Sequence, residues 1–302
     1  MVATRPAVSH DVIVGRHTFR GYRCESRLVR GPAPELATIV LVGGAFQTKE
    51  SWGRLERAFL AHADVLSVDL PGWGAGDVLP AHYGAEFLAD ALCHLLDETG
   101  LATVNLVGGS YGTAVAYLLA QRHPQRVEKM VLVGTMAAIP EHARRAVRRA
   151  VDFLAQRRMA EFAAASLDLL VNAEHSRSVV GGAWVRRFLS RRLLTLDPIE
   201  VEQQITNTDR LLNTIALDPD RPPRMPVLVA TGEHDHFTAP ARCRELAEMC
   251  RDSWFAVVAD ADHMLPLERH AELADLIRRF LAGEPLSGLP YCRSVERVRT
   301  PT

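Results

Sequence analysis

The sequence predicts an α/β protein: a mostly parallel sheet of roughly eight strands, flanked by helices and interrupted by an inserted helical cap. Three observations carry this reading. Short apolar runs rich in β-branched residues recur with helical stretches between them, the alternation stops near position 140, and it resumes near position 223.

Taken in order, Asp11 to Val14 and Arg20 to Val29 alternate in polarity and suit an antiparallel hairpin at a sheet edge. Thr38–Val42, Val65–Asp69, Val104–Val107 and Met130–Val133 are continuous apolar runs closed by Gly, Pro or Asp, as expected of parallel strands covered on both faces. Between them Lys49 to His62, Ala85 to Thr99 and Tyr111 to Arg122 read as helices. The interruption contains no convincing strand. Val147, Ala150, Val151 and Leu154 form an apolar helical stripe with Arg144, Arg145, Arg148 and Arg149 off it. Asp197-Pro-Ile-Glu200 combines an Asp N-cap, Pro at the first helical position and Glu three residues on. Strands return at Pro226–Ala230 and Trp254–Val258, with helices over Ala239–Cys250 and His270–Leu281. The expected division is a core of residues 1–139 and 223–282, a cap of 140–222, and a tail of 283–302 that is mobile or draped over the surface.

Composition bounds the function. A chain of 302 residues can bury one sizeable core, and 48% apolar with 24% charged residues is ordinary for a globular protein. A formal net charge of −1 argues against a dedicated nucleic-acid binder. The five cysteines are odd in number and show no metal-ligand pairing, which suits free thiols in a reducing compartment. Met1 to Phe19 lacks the apolar core of a secretory signal, and no window is long and apolar enough to span a bilayer, so the expectation is a cytoplasmic protein.

Chemistry is concentrated at Gly108-Gly109-Ser110-Tyr111-Gly112, a G-x-S-x-G motif where a predicted strand ends and a helix begins. A strained turn there lifts the serine hydroxyl above the sheet, and only Gly two residues before and after lets strand and helix approach so closely. The plainer alternative is a Gly-rich turn with a buried serine. On this motif in this context the chain resembles the α/β-hydrolase superfamily over about residues 10 to 282. The resemblance implies a triad in chain order Ser, acid, His. Val227-Leu-Val-Ala-Thr-Gly232-Glu-His-Asp235 resembles the family's acid loop, and its offset from Gly232 selects Asp235 over Glu233, His234 and His236. Asp260-Ala-Asp262-His263 resembles the histidine loop, with Asp262 where Gly is more usual. Gly134-Thr135-Met136 offers no carboxylate for the variant that carries its acid one strand earlier.

Gly43 to Thr48, with Trp52, resembles the family's His-Gly-x-Pro loop, with Gly43 in place of His and Phe46 in place of Pro. It implies an oxyanion hole built from the amides of Ala45 and Tyr111. Asp69-Leu-Pro-Gly-Trp-Gly74 resembles the turn after the family's fourth strand and reads as architectural. Gly44, Phe46, Trp184 and Phe188 are the candidate substrate-binding residues. No dinucleotide or phosphate-binding glycine motif and no zinc spacing is present, so neither cofactor nor metal is expected.

The reading is a serine hydrolase cleaving a carboxylic ester, lactone or thioester through a Ser110 acyl-enzyme. The alternatives are a non-hydrolytic acyl transferase or cyclase, or a low-turnover ligand receptor on the same scaffold. Residues 142–192 hold eleven arginines against four acids, and 193–222 hold six acids against two arginines. That polarity suits an anionic substrate or an acidic carrier domain, beside the simpler reading of a solvated helix face.

Overall fold

Runs such as Ile39–Val42 and Val227–Ala230 have no polar face to offer water, and both their faces are covered. In the computed structural model, which describes residues 11–213 and 217–299, nine strands form one sheet. They are β1 (Val12–Phe19), β2 (Tyr22–Val29), β3 (Ile39–Val42), β4 (Val65–Asp69), β5 (Val104–Gly109), β6 (Val127–Val133), β7 (Val227–Gly232), β8 (Asp252–Val258) and β9 (Cys292–Arg299). Their order is β1-β2-β4-β3-β5-β6-β7-β8-β9. The run from β4 to β8 is parallel, and the hairpin β1–β2 and strand β9 join antiparallel at opposite edges.

Helices α1 (Gly53–Phe59) and α10 (His270–Ala282) cover one face, packing Leu55, Phe59, Leu276 and Ile277 against the strands. Helices α2 (Ala85–Glu98), α3 (Tyr111–Arg122) and α8 (Pro240–Glu248) cover the other. The helix expected from Lys49 begins only at Gly53. Residues 44–51 are instead a loop held by a local bond and by the end of β4: Gly44 N–H donates to Gln47 Oε1 at 2.6 Å, and Lys49 N–H to Asp69 Oδ1 at 2.7 Å.

Helices α4 (Glu141–Ala155), α5 (Met159–Leu170), α6 (Gly182–Leu194) and α7 (Pro198–Asn213) enclose a core of their own around Leu154, Phe162, Val185, Leu189 and Val201. The start of α7 is a reciprocal capping box, with Glu200 N–H donating to Asp197 Oδ1 and Asp197 N–H to Glu200 Oε2, at 2.9 and 3.0 Å. The same helix ties this layer to the loop after β4. Gln203 donates to the Gly76 carbonyl, Asn207 to that of Gly72, and the buried Arg210 to those of Tyr83 and Leu79. Part of the charge polarity seen in the sequence is paired within the layer, Arg148 with Asp209 and Arg192 with Glu200.

The C-terminal segment corrects the expectation of a mobile or draped tail. Residues 292–299 add a ninth strand, with Val295 and Val298 packed on opposite faces of the sheet and Arg297 paired with Asp252. Arginine-rich alternation hid this strand, because an edge strand needs only a few apolar residues. The leader reading at residues 1–10, and the parts of the cap and tail expectations at 214–216 and 300–302, lie outside the described residues. Among the described residues, no helix is long and apolar enough to cross a membrane.

Candidate active site

The site begins at the junction of β5 and α3. Ser110 sits there with φ +47° and ψ −116°, a region L-residues rarely occupy. Tight packing holds it: a Cβ on Gly112 would lie 2.3 Å from the Val42 carbonyl oxygen, and one on Gly108 would lie 2.8 Å from that of Gly112. Ser110 N–H donates to the Val133 carbonyl at 2.8 Å, which fixes the turn against β6.

Chain segments more than a hundred residues away converge on this hydroxyl. Ser110 Oγ lies 3.1 Å from His263 Nε2, and His263 Nδ1 lies 2.9 Å from Asp235 Oδ2. The Asp235 and His263 side chains are almost wholly buried. Asp235 is held from several sides: the amides of Phe237 and Thr238 donate to Oδ1 at 3.0 and 2.7 Å, and the Thr238 hydroxyl donates to Oδ2 at 2.5 Å. Burial would push the Asp235 carboxyl upward, but the His263 charge and these hydrogen bonds outweigh it and hold the group below the usual carboxylate range. Burial likewise pulls His263 down, and the charge and hydrogen bond of Asp235, with Asp262 and Glu268 behind, raise it above an ordinary imidazole.

Asp262 is not a surface variation on the usual Gly. Its carboxylate accepts the His263 amide at 2.8 Å and the amide of Asn172, so it links the histidine loop to the end of α5. Its own amide donates to Glu268 Oε2 at 2.6 Å, and burial raises the Glu268 carboxyl to about 8.

Two residues with a backbone amide free of helix or strand pairing, Ala45 and Tyr111, line the same cavity as Ser110. Tyr111 opens α3, so its N–H has no intrahelical acceptor and stands at the helix's positive end. Ala45 lines the same cavity as Ser110, and its N–H has no acceptor among the described residues. The orientation of that amide has an identifiable cause. Trp73 Nε1–H donates to the Gly44 carbonyl at 3.0 Å, and in a trans peptide the following N–H points the opposite way. The indole also meets the Tyr111 ring edge-on at 4.9 Å. The turn read as architectural therefore holds one amide-bearing peptide and packs on the residue bearing the other. Phe46 has φ +64°, a value closed to proline, so the loop follows a backbone path that the proline of the His-Gly-x-Pro pattern could not take.

A cavity of about 420 Å³ opens over Ser110. Its walls are mainly apolar, with Phe46, Val151, Leu154, Phe162 and Leu170 among them, and Gln204 and Thr208 from α7 are polar exceptions. Phe46 packs on Phe162 of α5 at 5.9 Å. Two other expected substrate contacts are corrected. Trp184 and Phe188 are 50% and 44% exposed, stack on each other at 5.3 Å and do not line the cavity. The reason is helical period: α6 buries Gly182, Val185, Leu189 and Leu193, which turns positions 184 and 188 outward. Gly44 also lies outside the lining. It sits behind the serine, where a Cβ would come within 3.0 Å of Ser110 Cβ.

The competing groups of the acid loop face elsewhere. Glu233 pairs with Arg293 at 2.7 Å, His234 stacks on His175, and His236 Nε2–H donates to the Asp168 carbonyl at 2.9 Å. Glu233, His234 and Asp260 do bring potential ligand atoms within 4.8 Å of one another, but Glu233 is already engaged by Arg293 and by the Asp260 amide. Sequence reasoning missed Thr238, Trp73 and Glu268. Only Thr238 had a local signal, its place three residues after the acid.

This architecture has a known counterpart. The chain belongs to the alpha/beta hydrolase fold family, whose description matches residues 37–270. Among particular proteins it is 25% identical over 271 residues to RutD of Yersinia enterocolitica, named as a carbamate hydrolase, covering 86% of this chain and 92% of that one. It is 26% identical over 260 residues to an (R)-3-hydroxydecanoyl-ACP:CoA transacylase of Ectopseudomonas oleovorans, covering 84% and 85%. The crystal structure of the enol-lactonase from Burkholderia xenovorans superposes with a TM-score of 0.77 at 22% identity, over 89% of this chain and 100% of that one, a likeness of fold.

Proposed function

We propose that this hydrolase-family chain is a serine hydrolase that cleaves a carboxylic ester, lactone or thioester through an acyl-enzyme on Ser110. The carrying observation is the hydrogen-bonded line from Ser110 Oγ through His263 to Asp235, at 3.1 and 2.9 Å. In this reading His263 Nε2 takes the serine proton as Oγ attacks the carbonyl carbon. The carbonyl oxygen becomes an oxyanion facing the amides of Ala45 and Tyr111. As that intermediate collapses, the bond to the leaving group breaks and His263 returns the proton to it. Water then repeats the sequence on the acyl-enzyme and frees the acid and Ser110. Asp235 holds Nδ1–H and stabilises the imidazolium without taking its proton. The apolar cavity supports an apolar acyl group, and the five free thiols support a reducing compartment, the cytoplasm.

Acyl transfer to an acceptor other than water is the second reading, favoured by the likeness to the transacylase over 85% of its length. One experiment tests both: a panel of ester, lactone and acyl-thioester substrates, with and without an alcohol or thiol acceptor, beside Ser110→Ala. Turnover lost in Ser110→Ala with water as acceptor supports hydrolysis. Acyl product formed only with the added acceptor supports transfer. Undiminished turnover in Ser110→Ala removes the nucleophile from both.

A further inference from the structure

Helix α6 is apolar on two sides. One stripe, Gly182, Val185, Leu189 and Leu193, is buried in the cap core. On the other side Trp184, Phe188 and Leu194 are 50%, 44% and 46% exposed. At 100° per residue, Arg187 and Arg191 fall within the exposed stripe, and the neighbouring Val180, just before the helix, is 42% exposed. The helix contains four arginines and no acid. Arg192 pairs with Glu200, while Arg187 and Arg191 have no carboxylate partner among the described residues. Two parallel stacked rings left in water, flanked by unpaired guanidinium groups, are an unsatisfied surface rather than a solvated helix face.

We infer that the outer face of α6 docks on an anionic lipid surface, with Trp184 and Phe188 entering the headgroup layer and Arg187 and Arg191 meeting lipid phosphates. Charge selects this occupant. A second copy seated through a two-fold axis would set the arginines of one stripe against those of the other. An anionic bilayer matches both components, because aromatic rings favour the interfacial layer and each arginine adds attraction to a negative surface. The surface also lies close to the site: the Val180 amide donates to the Asp260 carbonyl at 2.9 Å, three residues before His263, and α6 packs on the short helix α9 (Leu265–Glu268) just beyond it. The inference does not depend on the reaction assigned to Ser110.

The test uses the full chain with phosphatidylcholine vesicles, with and without phosphatidylglycerol, read by co-sedimentation and tryptophan emission. Trp52 and Trp73 are already buried and Trp254 is half-buried, so a blue shift on binding reports chiefly Trp184. Binding should require phosphatidylglycerol and weaken as salt rises. Trp184→Ser/Phe188→Ser and Arg187→Glu/Arg191→Glu should each weaken it about tenfold or more. Trp184→Phe should keep most of the binding and lose the shift. Turnover of a short soluble ester should be unchanged in all of them, since none of these residues lines the cavity. Unaltered thermal midpoints establish that the variants fold. Equal binding to both vesicle types, binding unchanged in the arginine variant, no binding, or a concentration-dependent dimer abolished by the aromatic variant would each overturn the inference.

Discussion

Replacing Trp73 with Phe should slow turnover without weakening substrate binding, although the indole never reaches the cavity. The substitution keeps a ring in edge contact with Tyr111 and deletes only the Nε1–H that holds the Gly44 carbonyl at 3.0 Å. Trp73 is 5% exposed, so water does not replace the lost donor, and the Gly44 carbonyl keeps only the long bond from Gln47 N–H at 3.4 Å, which places the loss at the low end of the about 1–3 kcal/mol that an unmet buried carbonyl costs. The 44–45 peptide relieves that cost by rotating, and the Ala45 amide turns with it. Losing an oxyanion donor outright costs about 10²–10³ in kcat, which sets the ceiling. A weakened donor, at about 1 kcal/mol, sets the floor near fivefold. Steady-state kinetics on a soluble ester should therefore show kcat down by about 5- to 100-fold with KM nearly constant, and the thermal midpoint down by a few degrees. A lowered midpoint with full kcat would make the bond purely structural and refute the reasoning, as would an effect confined to KM.

Four further outcomes follow from the same geometry. Ser110→Ala should abolish turnover and leave the fold intact, and a fluorophosphonate should label Ser110 alone, as read by peptide mass spectrometry. Asp235→Asn should lower kcat by about 10³–10⁴ by presenting the wrong imidazole tautomer, and near-full activity would move the role to another carboxylate, Glu233 first. His263 must be neutral to accept a proton, and because its pKa is raised, kcat/KM should climb with pH through a midpoint above the ordinary 6.5; Asp262→Asn removes one of the raising charges and should move that limb to lower pH. Glu268 binds its proton more tightly folded than unfolded, so it favours the fold below about 4.5 and loses that contribution as pH rises towards about 8; Glu268→Gln should flatten this decline in thermal midpoint and show its largest relative gain above pH 8.

What the sequence by itself determined is local. The sharp strand-to-helix turn at Ser110 is specified by five consecutive residues, since Gly108 and Gly112 are the positions where any side chain would strike backbone. The acid and histidine loops likewise follow strands that apolar runs make visible, and their resemblance to the hydrolase family's loops is what nominated Asp235 and His263. Tertiary structure decided everything that depends on what packs opposite. Trp184 and Phe188 look like any cap apolar residues in sequence, and only the packing of α6 on its neighbours turned them outward. The final strand was hidden because its stability comes from pairing with β8 rather than from its own composition. Trp73 acquires its partner, the Gly44 carbonyl, 29 residues away in the chain. Periodicity encodes which face a segment can bury. Which surface, carbonyl or ring meets that face is a three-dimensional outcome, reached only when segments distant in sequence compete for the same contacts.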